Sequence, residues 1–274
     1  MADSLALNAS FEEVCYLLWY GKHPNEAELL ELTQSMKSQR ALPEHAVRIL
    51  THLPESLHFM NAMQIVLSSL GTDRFLSKSK VEQAISLTSL LPTIIAYRYR
   101  SLRQLELIQP PDHLDHISAF LYMLTGDKPT LPHHKALSAY SILTMEHGMN
   151  ASTFAARVIA STESDLLSAV SGAIGAMKGP LHGGAPIEVM TMLEQIKNKE
   201  QAEAWLTNEL ECGRKLMGFG HRVYKTIDPR AEALKHIASE LTGEEYWLDL
   251  ATTSKKRRSD CCKPLSQEGG FIQM

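Results

Sequence analysis

The sequence predicts an all-α protein. Helix-start signals recur from one end of the chain to the other, and apolar residues return at three- and four-residue spacing between them. No stretch sustains the alternation of a half-buried strand bounded by turn pairs. Ser10-Phe11-Glu12-Glu13 is a capping box: the Ser hydroxyl takes one free backbone N–H while the Glu reaches back to another. Phe11, Val14, Cys15, Leu17 and Leu18 follow at helical spacing, and Gly21 ends the run. Asn25 to Glu28 opens a second helix, and Pro43 stands at the first turn of a third. Ser79-Lys80-Val81-Glu82 caps a long helix running towards Arg103, with a kink expected at Pro92. Leu114, Ile117, Phe120, Leu121 and Leu124 predict one apolar face, closed by Gly126. Further helices are predicted over 133–145, 151–161, 164–177, 186–197 and 200–212, and Asp228-Pro229 starts another over 229–241.

Composition narrows the function classes. The chain has 274 residues, 44% of them hydrophobic and 21% charged, which is ample material for a sizeable core. Lys and Arg number 27 against 31 Asp and Glu, so a binder working by phosphate neutralisation is disfavoured. No apolar run approaches the roughly 20 residues that span a bilayer. Four cysteines are too few and too scattered for a disulfide framework. A soluble, cytoplasmic protein without nucleic-acid or membrane partners is the expectation. Residues 251–274 stand apart: they carry a net charge of +3, which leaves −7 of the overall −4 to the first 250 residues, and they hold two of the four cysteines.

Three glycine-flanked histidines dominate the second half. They lie in Glu146-His147-Gly148-Met149-Asn150, in Lys178-Gly179-Pro180-Leu181-His182-Gly183-Gly184, and in Met217-Gly218-Phe219-Gly220-His221-Arg222-Val223-Tyr224-Lys225. Each falls at a break between predicted helices, where glycine lets backbone or ligand approach closely. The other nine (His23, His45, His52, His58, His113, His116, His133, His134 and His236) read as ordinary surface or core residues, and none has partners at a recognised metal spacing. No metal site is expected. Gly218-Phe219-Gly220 has neither the third glycine nor the preceding strand of a dinucleotide loop.

The run EHGMNASTFAARVIASTESDLLSAVSGAIGAMKGPLHGGAP, followed by MGFGHRVYKTIDPRAEAL, closely resembles the citrate synthase family in its bacterial, Bacillus-like form, which grades into 2-methylcitrate synthases. The resemblance covers about residues 2 to 250, including SFEEVCYLLWYGKHPNEAEL and LPTIIAYRYR. It implies a multi-helical homodimer that condenses acetyl-CoA with oxaloacetate, with acetyl-CoA as co-substrate and no permanently bound cofactor. That chemistry needs a base for a weakly acidic methyl proton, a donor for the enolate oxygen, and cations for two carboxylates. By resemblance His182 stabilises the enolate and His221 polarises the oxaloacetate carbonyl. His147 and Arg230 match the oxaloacetate-binding residues, with Asn150 beside them. Leu216, Met217, Gly218, Phe219 and Gly220 match the backbone stretch that recognises the CoA adenine, and Lys225 the basic position facing its phosphates.

The resemblance also implies a partial large domain over residues 1–183 and a partial small domain over 184–250. Residues 251–274 follow as a basic tail outside the family pattern, expected to be disordered. Relative to that pattern the chain is expected to be short at both ends and to lack the C-terminal helices of the large domain. The family's Asn-Val-Asp/Glu-Phe-Tyr segment, which carries the catalytic carboxylate, does not occur in these residues. Condensation by this chain is therefore expected to be impaired.

Overall fold

The computed structural model describes residues 2–146, 148–196, 200–214 and 229–239. Among them every regular element is a helix, as the sequence predicts. The order is α1 (Ala2–Asn8), α2 (Phe11–Tyr20), α3 (Glu26–Ser38), α4 (Glu44–His52), α5 (Phe59–Ser69), α6 (Asp73–Leu76) and α7 (Lys80–Leu102). It continues with α8 (His116–Thr125), α9 (Leu131–Met145), α10 (Ala151–Ala160), α11 (Leu166–Met177), α12 (Ala185–Ile196), α13 (Ala202–Glu211) and α14 (Pro229–Ala238).

The capping boxes form as read. Ser10 Oγ accepts from Glu13 N at 3.2 Å while Glu13 Oε2 accepts from Ser10 N at 2.6 Å. Asn25 with Glu28, and Ser79 with Glu82, repeat the reciprocal pair. Gly21 closes α2 in the left-handed region at φ 73°, and Gly126 closes α8 at φ 87°. Pro43 takes the N-cap of α4 rather than its first helical position. Pro92 lies inside α7 without ending it.

Two compact units divide between Lys178 and Gly179. The first is built around α7, which spans 23 residues, or about 35 Å at 1.5 Å per residue. Leu87, Leu90, Ile94 and Tyr97 of α7 join Ala46 and Leu50 of α4, Met63, Val66 and Leu67 of α5, Phe75 of α6, and Leu167 and Ile174 of α11 in one core. A second cluster joins Cys15 and Tyr16 of α2, Leu32 and Met36 of α3, and Ile85 of α7. The connection from α10 to α11 is short, and Gly172 sits where an added Cβ would meet Ile159 Cδ1 at 2.2 Å, so the two helices pack closely as a hairpin. In the second unit Met192, Leu193 and Ile196 of α12 pack with Ala202 of α13.

Three differences from the predicted elements have physical causes. α5 carries no Ser, Thr, Asp or Asn start signal; His58 caps it, Nδ1 accepting from Met60 N at 3.2 Å. α1 and α6 are too short to display a period. In α8 the fully buried apolar residues are Ile117, Ala119 and Met123, while Phe120, Leu121 and Leu124 are only half-buried. That helix packs against α7, α9 and α2, so burial spreads around it rather than down one stripe.

Arginines occupy core positions in the first unit. The Arg98 guanidinium is 1% exposed; Nη1 donates to Leu53 O at 3.3 Å, and Nη2 donates to Pro54 O at 2.7 Å and Leu57 O at 3.2 Å. Arg100 donates to Glu106 O and Leu124 O. Arg40 Nη1 donates to Pro111 O at 3.1 Å and Leu114 O at 2.8 Å. The irregular segments around α7 are thus pinned through their carbonyls.

Candidate active site

Around position 147 the chain leaves α9 at Glu146 and enters α10 at Asn150. Glu146 Oε1 accepts from Gly148 N at 2.7 Å, and Gly148 adopts φ 91°, a left-handed conformation open to glycine. Asn150 is the N-cap of α10: its Oδ1 accepts from Thr153 N at 2.8 Å and from Ser152 Oγ at 2.7 Å. The Glu146 brace was not anticipated; an acidic residue two positions before a glycine is its only sequence signal.

His182 lies in a tight turn between α11 and α12. Gly179 O accepts from His182 N at 3.0 Å and from Gly184 N at 3.3 Å, and Gly184 O accepts from Glu188 N at 3.2 Å as α12 begins. A Cβ on Gly184 would stand 2.8 Å from Pro180 Cα, so glycine lets the turn close this tightly. The His182 ring is half-buried. Arg230 is the second residue of α14, behind Pro229 at the first helical position, and is half-buried.

The structure therefore describes Asn150 in the first unit and His182 and Arg230 in the second. His147, His221, Leu216, Met217, Gly218, Phe219, Gly220 and Lys225 lie outside the described residues, as does the segment 251–274. Among the described residues no group of three or more His, Cys, Asp and Glu side chains is arranged to hold a metal ion, and no helix is long and apolar enough to cross a membrane.

A family model described as citrate synthase, C-terminal domain, matches residues 1–261. The chain belongs to the citrate synthase family. The match extends into the segment set apart by its charge. Citrate synthase 2 of Bacillus subtilis (strain 168) is 40% identical over 270 residues, covering 93% of this chain and 73% of that protein. The 2-methylcitrate synthase of Mycobacterium tuberculosis (strain H37Rv) is also 40% identical, over 255 residues, covering 90% of this chain and 65% of that protein. Among solved structures, citrate synthase from Thermotoga maritima MSB8 superposes with TM-score 0.87 at 42% identity, covering 96% of this chain and 71% of that one. Citrate synthase from Thermoplasma acidophilum, solved as a ternary complex with carboxymethyl coenzyme A and oxaloacetate, superposes with TM-score 0.84 at 28% identity, over 93% of this chain and 69% of that one. The chain thus spans about two thirds to three quarters of these relatives.

Proposed function

We propose that this chain carries the binding groups for oxaloacetate and acetyl-CoA and part of the apparatus that condenses them to citrate and CoA, at the entry to the tricarboxylic acid cycle in the cytoplasm, with condensation by these 274 residues impaired for want of the carboxylate base. The observation that carries the reading is His182, held in a glycine turn at the start of α12 within the run Lys178 to Gly184 that resembles the family's enolate-binding segment. In this reading His182 donates to the enolate oxygen and His221 polarises the ketone of oxaloacetate. His147, Asn150 and Arg230 hold the carboxylates, and Leu216 to Gly220 with Lys225 receive CoA. No cofactor is held permanently. The large domain is read over residues 1–183 and the small domain over 184–250.

The test is calorimetry of the 274-residue chain with oxaloacetate. Binding is expected, and Arg230→Met is expected to weaken it roughly 10- to 100-fold, the value of a charge-assisted hydrogen bond of about 1.5–3 kcal/mol. Unchanged affinity in that variant would remove Arg230 from the site. Absence of any heat with oxaloacetate or CoA would favour a non-catalytic remnant.

A second reading, 2-methylcitrate synthesis from propionyl-CoA, is supported by equal 40% identity to a citrate synthase and a 2-methylcitrate synthase. One methylene is worth only about 1–3 kcal/mol of discrimination, so comparing kcat/KM for the two thioesters decides it.

A homodimer is proposed on the apolar surface of α9 and α10, where Tyr140, Phe154 and Val158 are 48%, 60% and 49% exposed. Sedimentation at micromolar concentration is expected to give a dimer. A monomer at those concentrations contradicts it.

A further inference from the structure

The buried polar groups of the first unit fall into two sorts. Along α7, at Ser118 of α8 and at Ser152 of α10 they are Gln83, Ser86, Ser89, Thr93, Arg98, Arg100 and the two serines, none of them a carboxylate or an imidazole. At the contact of α2 with α8 they are Glu12, 5% exposed, and His116, 5% exposed, with Arg40 beside them at 2%. The Phe11 ring lies flat on the His116 imidazole, centroids 4.4 Å apart and planes within 5°. Glu12 Oε1 accepts from His116 N at 2.9 Å. His116 Nδ1 is buried with no hydrogen-bond partner. One helix face thus rests on a carboxylate and an imidazole that water reaches only if α2 lifts away.

We propose that the α2–α8 contact is an acid-sensitive seam, through which protons release the N-terminal helix while the central core stays closed. The groups facing His116 are Glu12 from α2, Arg40 from the segment after α3, and Asp115 at the start of α8. His134 of α9 pairs with Asp115 at 3.2 Å, and Asp112 adds its charge to Arg40. Burial pushes His116 down to about 3, Arg40 adds to that, and Asp115 opposes it. Once the seam opens, the imidazole returns towards its ordinary 6.5. Between those values the open form binds a proton that the closed form does not, so closure is complete above about pH 6.5 and weakens up to tenfold per pH unit below it. Burial works to raise Asp115, but the N–H and O–H of Ser118 and the nearby His134 hold it below its usual range. Its contribution is likewise lost as pH falls.

Hydrogen exchange of the 274-residue chain, read by peptide and corrected for intrinsic rates, tests this. Between pH 7 and pH 5 the peptide over residues 11–20 is expected to lose protection by on the order of tenfold, while residues 59–69 keep theirs. His116→Phe keeps a ring against Phe11 and the backbone N–H to Glu12, and is expected to abolish the loss. Glu12→Gln keeps the acceptor for His116 N and should leave the loss in place. Equal loss of protection in 11–20 and 59–69, or an undiminished loss in His116→Phe, overturns the proposal.

Discussion

Arg98→Ala is expected to destabilise the first unit by about 3–5 kcal/mol. The guanidinium is almost wholly buried, and its two terminal nitrogens reach three carbonyls of the segment between α4 and α5 within 3.3 Å, with Glu55 O a fourth at 3.5 Å. Alanine removes every donor at once, leaves those carbonyls facing a dry space, and opens a cavity where the aliphatic stem lay. Against a typical total of about 5–15 kcal/mol, this is a third or more of what keeps a domain folded. Arg98→Met restores the stem but none of the donors. Arg98→Lys restores a charge but not the planar fork that serves several acceptors together. Both should fall between alanine and the parent. The check is a urea melt followed by circular dichroism, and an alanine variant within 1 kcal/mol of the parent would contradict the assignment.

Thiol release from acetyl-CoA in the presence of oxaloacetate is expected to run about 10² to 10⁴ times slower with this 274-residue chain than with Citrate synthase 2 of Bacillus subtilis. The methyl group beside a thioester is a weak acid, and its proton leaves only with a positioned base. The resemblance implies that the base comes from an Asn-Val-Asp/Glu-Phe-Tyr segment, and these 274 residues do not contain one. In the sequence Asp228 reads as a helix-start signal before Pro229, and Asp249 and Asp260 match no catalytic motif. Donors for the enolate and the ketone, His182 and His221 in the proposed reading, would leave a residual rate and affect kcat and oxaloacetate affinity separately. Turnover within tenfold of the Bacillus enzyme would show that another group takes the proton.

Much of the fold was legible because its signals are local. Ser10, Asn25 and Ser79 each sit three residues before a Glu, and each pair satisfies its neighbour's free N–H groups without help from the rest of the molecule. α5 was not legible, since Phe59-Met60 and Ile65-Val66-Leu67 leave no clear polar face and a histidine does the capping. The buried arginines were not legible either. Arg40, Arg98 and Arg100 find partners 6 to 74 residues away among backbone carbonyls, a contact no side-chain pattern encodes. His116 read as one ordinary histidine among nine, and its isolation becomes visible only when Phe11 closes over it. For the candidate site, motif resemblance located His182, Asn150 and Arg230. The role of Gly184, which lets the turn approach Pro180, needed the backbone path.

The arginine-to-carbonyl contacts bear on how this chain can diverge. A guanidinium that grips Leu53 O, Pro54 O and Leu57 O reads the path of the main chain and ignores the side chains it carries. The same holds where Arg40 grips Pro111 and Leu114, and where Arg100 grips Glu106 and Leu124. Residues in those connections can drift in identity as long as their backbone keeps its course, whereas the three arginines cannot. Variation in descendants of this chain should therefore gather in the gripped segments and spare the grips.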